Sequence, residues 1–309
     1  MTLGRTNSEP AAAALRRPAR PAWLVHLADY WTLTKPEVNF LVLVSALVGF
    51  YLAAQGAVNG WLLFHTLMGT LLVASGTGTL NQFLERHTDA FMRRTANRPL
   101  PAGRLAPAEA FWFGILLSIA GGAELWIAAN PLTSALALAT LATYLVLYTP
   151  LKRQTPLCTL VGAIPGAMPP LIGWAAVRND LGAEAWVLYA ILFLWQFPHL
   201  LAIAWMYRED YARASLQMLP RRDRDGRATV RQILGCTLAL LPVSLIPAFT
   251  GHAGWLYLVG AGTLGAGFLY CGARLAASRT NALAKQLLMA SIVYLPLVFA
   301  LLMFDRRWQ

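Results

Sequence analysis

A chain of 309 residues that is 57% hydrophobic and only 13% charged is not an ordinary soluble domain, and its charges fall in clumps between long apolar runs. A net charge of +11 would suggest nucleic acid in a soluble protein; at this hydropathy membrane topology explains it better, and no nucleic-acid partner is expected. Cys158, Cys236 and Cys271 lie inside apolar runs without metal-type spacing, so they read as small core residues.

Residues 1–30 are rich in Ala, Pro and Arg, with no apolar core of signal-peptide type, and read as a basic disordered tail. A mitochondrial presequence competes, but Glu9 and the run of prolines weigh against it. From there the chain carries charge-free runs of 47 residues (38–84) and 42 residues (232–273), each holding two spans at about 20 residues per helix. Shorter runs cover 125–151, 154–177, 185–207 and 286–304. None shows the short apolar–polar alternation of a membrane barrel, so the fold class is all-α integral membrane. Nine spans are predicted, near 38–56, 61–80, 108–129, 131–150, 157–177, 185–206, 233–250, 254–274 and 286–304. They make one membrane domain over 31–304 with a short C-terminal tail, 305–309.

The loop charges test this count. If the N-terminus and the loops after the even-numbered spans share one side, that side collects 22 of the 25 Lys and Arg. This bias makes the N-terminus cytoplasmic, in a bacterial plasma (inner) membrane or, less favoured, the matrix side of the mitochondrial inner membrane. The two long polar connections, 81–107 and 207–231, follow spans two and six on that side and suggest two loosely equivalent halves.

The first polar segment carries Asn81, Glu85 and Asp89 at intervals of four, one face of a helix over a ~12 Å rise. An oxygen-rich face suits Mg²⁺, which binds one or two carboxylates together with substrate phosphate oxygens. Arg93, Arg94 and Arg98 follow, and guanidinium forks grip phosphate in bidentate fashion. Acids followed at once by arginines fit a diphosphate that carries its own metal. A salt-bridged helix end is the plainer alternative. The second segment places Gln196 and His199 three apart in an uncharged span, with Pro198 between them to kink the helix, then Glu209 and Asp210. A lone membrane His is either a satisfied hydrogen-bonding group or a ligand. Tyr148, Lys152 and Arg153 bring a hydroxyl and two cations to the same side.

These residues resemble a family. Asn81, Glu85, Asp89, Met92, Arg94, Thr95, Arg98 and Pro99 stand at the spacing of the first signature of the UbiA superfamily of intramembrane prenyltransferases. Tyr148-Thr149, Leu151-Lys152-Arg153 and Thr155, then Trp195-Gln196, Pro198-His199, Asp210-Tyr211 and Met218-Leu219-Pro220, are similar to its haem-farnesylating branch. The resemblance covers about residues 30–304. It implies nine helices around a central cavity, with diphosphate at the cytoplasmic mouth and the isoprenoid in the apolar interior. It implies farnesyl diphosphate and haem b as substrates, haem O as product, Mg²⁺ as cofactor, and a haem A synthase as downstream partner. By matching positions, Asn81, Glu85 and Asp89 would hold metal and diphosphate, and Arg94, Arg98 and Lys152 would stabilise the departing charge. Arg93, Tyr148, Gln196, His199, Glu209 and Asp210 would contact substrate, with Asp210 a further metal ligand.

Two departures stand out. Glu85 replaces the Asp of many superfamily members, and the second motif lacks an Asp-x₃-Asp pattern, which leaves the ligands of a second metal open. A prenyltransferase with an aromatic, quinone-precursor acceptor should carry a more Asp-rich second loop. A transporter should place acids near the bilayer midplane, whereas Glu124 is the one acid inside a predicted span and lies near its outer end.

Overall fold

The structure is a computed structural model that describes residues 21–223 and 225–307. Nine helices among the described residues are long and apolar enough to cross a membrane. They are α2 (Pro36–Ala53), α3 (Gly60–Asp89), α4 (Pro107–Ala128), α5 with α6 (Pro131–Leu151), α7 with α8 (Cys158–Arg178), α9 (Ala183–Met206) and, after the short α10 (Arg208–Arg213) and α11 (Leu219–Arg222), α12 (Arg227–Phe249), α13 (Trp255–Ser278) and α14 (Asn281–Phe304). Each coincides with a predicted span. Proline occupies the first turn of α2, α4 and α5, where its missing N–H is no loss and its fixed φ suits the helix. Asn59 and Asn130 cap α3 and α5 by accepting from the backbone N–H groups of Leu62 and Thr133.

Two spans depart from regular α geometry, and both border the cavity described below. The fourth runs as α5 (Pro131–Ala142), a π-helical turn Thr143–Tyr148 and a short α6 (Thr149–Leu151). The fifth is divided at Ala167–Met168 into α7 (Cys158–Gly166) and α8 (Pro169–Arg178). By contrast α9 continues through Pro198 to Met206.

The backbones of α2 and α8 touch. A Cβ added at Gly173 would lie 1.9 Å from the Ala46 carbonyl oxygen, and one at Gly49 would lie 2.0 Å from that of Pro170. Small residues permit such approach in a bilayer, where packing rather than water exclusion draws helices together. On the other side α12, α13 and α14 pack with α9 around buried Ile233, Tyr257, Phe268 and Tyr294.

The expected N-terminal tail needs correction, and the short C-terminal tail is fastened to the bundle. Residues 1–20 lie outside the described residues, but Ala22–Leu33 is a helix, α1, rather than the end of a disordered tail. Its Leu33 is buried with Leu100, Leu105 and Ala110, Asp29 pairs with Arg104 at 2.9 Å, and Gln82 donates to the Leu33 carbonyl at 3.0 Å. These contacts come from the first polar segment, so local composition could not reveal them. At the other end Asp305 accepts from the Tyr257 N–H at 2.8 Å and Arg306 donates to the Tyr51 carbonyl at 2.7 Å. Those two residues fasten the last helix to α13 and α2.

Candidate functional site

The charged end of α3 delivers what its fourfold spacing promised. The helix runs past the apolar stretch to Asp89, so Asn81, Glu85 and Asp89 sit on successive turns. Asn81 and Asp89 are each 1% exposed. Burying such groups is costly unless each is paired, and each is. Lys152, entering from the end of the fourth span, donates to Glu85 Oε1 at 2.9 Å, and Asn81 Nδ2 donates to Glu85 Oε2 at 3.0 Å. Arg98 Nη1 donates to Asp89 Oδ2 at 2.7 Å, and the Thr95 hydroxyl to the Asp89 carbonyl at 2.8 Å.

A cation the sequence reading counted only for topology completes the cluster. Lys35 precedes Pro36 in the left-handed region (φ 54°), a conformation a non-glycine residue adopts at a cost of about 1 kcal/mol or more. From there its Nζ donates to Asn81 Oδ1 at 2.7 Å. Burial, and then the nearby Arg98, lower its pKa to about 7. Lys152 goes the other way: burial pulls against its charge, but Tyr148 and Glu85 hold it well above the usual lysine range. Its Nζ also lies 4.4 Å from the centroid of the Tyr148 ring.

The π-turn belongs to this arrangement. The Thr149 hydroxyl donates to the Tyr144 carbonyl at 2.9 Å and accepts from Asn81 Nδ2 at 3.2 Å, so the irregular turn is latched to the acid helix. Such turns recur at functional sites. Beneath Lys35 and Tyr144 a cavity of about 150 Å³ opens between α2, α3, α5, α7 and α8. Its walls are almost wholly apolar. The arrangement is thus a ring of cations and two buried carboxylates over a greasy shaft.

The remaining expected residues are not all brought here. Arg93, Arg94 and Glu209 are exposed, with the Arg94 guanidinium 5.5 Å from the Tyr207 ring. Asp210 is buried but ion-paired with Arg213 on its own turn. Gln196 donates to the carbonyls of Ala163 and Leu192, both at 3.1 Å. His199 Nδ1 bonds the Ser291 hydroxyl at 2.8 Å while the ring stacks on Trp195. Among the described residues no three His, Cys, Asp or Glu side chains converge as metal ligands, so Asn81, Glu85, Asp89 and Asp210 do not form one cage. Two carboxylates one turn apart nevertheless match Mg²⁺, whose remaining positions go to water and substrate phosphate.

Comparison with known proteins decides what this arrangement belongs to. Residues 42–301 match the UbiA prenyltransferase family. The chain is a member of that family. Among its relatives, the protoheme IX farnesyltransferase of Solibacter usitatus is 53% identical over 290 residues, covering 91% of this chain and 99% of that protein. Those of Koribacter versatilis and Salinibacter ruber are 44% and 47% identical, covering 93% and 90% of this chain and 96% and 99% of their own. The fold recurs in a solved structure of digeranylgeranylglyceryl phosphate synthase (TM-score 0.76, 15% identity, 90% of this chain, 98% of that chain). It recurs also in a UbiA homologue from Archaeoglobus fulgidus bound to DMAPP and Mg²⁺ (TM-score 0.65, 14% identity, 89% and 99%).

Of the first UbiA signature, Asn81, Glu85, Asp89, Thr95 and Arg98 meet in this cluster while Arg94 stays exposed, and Thr149 and Lys152, just after the π-turn, add donors to it. Lys35 and Tyr144 escaped sequence reasoning, and Thr149, quoted above only within a motif, had no role assigned. Lys35 is 46 residues from its partner Asn81, and Thr149 is 68 away. Tyr144, on the cavity wall, precedes Tyr148 and Lys152 at the same fourfold step. A cation three residues before the first charge-free run was the available signal for Lys35.

Proposed function

We propose that this UbiA-family chain transfers the farnesyl group of farnesyl diphosphate to a vinyl group of haem b, giving haem O for the biogenesis of haem A and terminal oxidases. The observation that carries it is the pairing of a buried acid–cation cluster with an apolar shaft, in a chain 53% identical to a named protoheme IX farnesyltransferase along nearly its whole length. Bound at Glu85 and Asp89, Mg²⁺ would neutralise charge on the diphosphate.

The chain's own groups account for the rest. Lys35, Arg98 and Lys152 stand where negative charge builds up as the C1–O bond breaks and its electron pair leaves with diphosphate. Preorganised charge of this kind is usually the largest catalytic contribution. The apolar shaft keeps water from the allylic cation. The π electrons of a haem vinyl group form the new bond to C1. The cation left on the adjacent carbon takes water, which loses a proton, and the hydroxyethylfarnesyl side chain results. His199 uses Nδ1 for Ser291, so Nε2 is the nitrogen through which it would meet haem. The cation bias supports a site on the cytoplasmic side of a bacterial plasma membrane, and haem O would pass to a haem A synthase.

Expression in a bacterium lacking haem O, followed by chromatography and mass analysis of extracted haems, tests the reading. A haem carrying the hydroxyethylfarnesyl mass increment is expected, with formation in isolated membranes stopped by chelation and restored by Mg²⁺. A prenylated aromatic acid in its place would assign the chain to a sister activity.

A further inference from the structure

The second polar segment holds two acids, and neither explains its shape. Asp210 is buried and paired with Arg213 inside α10, and Glu209 is exposed. The backbone just beyond them reaches the site instead. After α10 the chain passes through a left-handed residue, Ser215 (φ 57°). Around it the Leu216 N–H donates to the Tyr211 carbonyl at 2.9 Å and the Ser215 N–H to that of Ala212 at 3.1 Å, the paired bonds of a Schellman stop. Leu216 and Tyr211 pack in one core cluster, the apolar contact that accompanies such a stop. The stop turns the chain into a short non-helical stretch, Leu216–Met218, whose side chains alternate as in an extended chain. Leu216 and Met218 are buried, and Gln217 between them is half-buried.

This stretch lies on the turn that carries Lys152. The Gln217 N–H donates to the Lys152 carbonyl oxygen at 2.7 Å. That carbonyl stands just past α6, where helix carbonyls run out of partners, so Gln217 supplies a bond the fourth span cannot make for itself. Leu216 and Met218 share their cluster with Met92 of the first polar segment and Cys158 of α7, and Tyr148 and Leu151 pack against it. Lys152 is therefore held at both ends, its Nζ by Glu85 at 2.9 Å and its carbonyl by Gln217. The stretch is itself braced from α11. Arg221 Nη1 donates to the Leu216 carbonyl at 3.0 Å, and Arg222 Nε to Gln217 Oε1 at 2.8 Å.

We propose that Leu216–Met218 is a clip that positions Lys152 for the leaving diphosphate. The inference rests on the reading of Lys152 as a cation for the departing charge. Gln217 and Met218 act through that lysine, as positioning residues. A lysine ammonium rides on a flexible stem, and it is most useful when it already waits where negative charge develops. Fixing its backbone and its head together removes that freedom before substrate arrives. Misplacement by about 1 Å, even from a change away from the chemistry, can slow a reaction about a hundredfold.

The experiment measures single-turnover haem O formation by the full chain in membranes, with active protein saturating, so that an inactive fraction leaves the rate constant unchanged. Gln217→Pro removes the N–H, and Met218→Gln puts an amide among apolar neighbours; each should lower the rate constant about tenfold or more. Met218→Leu, which keeps shape and polarity close, should stay within about twofold of the parent. Hydrogen exchange on the same proteins reads the cause. The Lys152, Gln154 and Thr155 amides, bonded to Tyr148 and Leu151, should exchange faster in Gln217→Pro and Met218→Gln and at the parent rate in Met218→Leu. Should Gln217→Pro fail to insert, Met218→Gln decides alone. Rate constants within about twofold of the parent, or slower turnover without faster exchange at those amides, overturns the clip. A parent that transfers no prenyl group to haem defeats the functional reading instead, and exchange still decides whether the stretch holds the lysine turn.

Discussion

Replacing Lys152 with Met removes the cation that faces Glu85 across 2.9 Å, in a pair whose side chains are only 12% and 13% exposed. At that separation two unit charges attract by about 6 kcal/mol for an effective dielectric constant of ~20, most of it offset by the cost of withdrawing both from water. What the substitution leaves is a buried carboxylate with Asn81 as its remaining donor, and breaking a buried pair from one side costs about 3–5 kcal/mol. Glu85→Gln in the Lys152→Met background removes the stranded charge, so the double variant should recover about 2 kcal/mol or more relative to Lys152→Met alone. Activity should not recover with it, because both variants lack a group aimed at the leaving diphosphate, worth about 10²–10³ in turnover. Denaturant titration in mild detergent reads the first effect and farnesyl transfer in membranes the second. A Lys152→Met protein within about 1 kcal/mol of the parent would refute the burial argument. A double variant with restored turnover would refute the catalytic one.

Further expectations follow from the same contacts. Asp89→Asn should abolish farnesyl transfer while the protein still inserts, and near-normal turnover in a correctly inserted variant would remove Asp89 from the metal site. Lys35→Met should lower turnover about tenfold or more with little change in membrane insertion, and Lys35→Arg should retain part of it, measured by single-turnover haem O formation. Gly173→Leu has no room for its Cβ, 1.9 Å from the Ala46 carbonyl oxygen, so α2 and α8 must separate. A loss above the usual 1–3 kcal/mol of overpacking is expected, visible as early proteolysis in detergent; an unchanged digestion profile would contradict that contact.

Sequence alone determined the spans, because a bilayer tolerates charge so poorly that apolar runs mark helices almost unaided. It also determined the acid face of α3, since a helix converts a spacing of four into a line of side chains whatever surrounds it. What it could not determine depends on how helices turn toward one another. Gln196 and His199 look like one neighbourhood in the sequence, yet the first bonds Ala163 on α7 and the second Ser291 on α14. Lys35 looks like a topological anchor until the left-handed turn before Pro36 carries it onto Asn81. Asp210 looks available until its own helix supplies Arg213. The length and charge-free character of each span are local properties and survive without neighbours; helix rotation, the π-turn and the cavity are set by packing between segments far apart in the chain, and only the tertiary structure decides them.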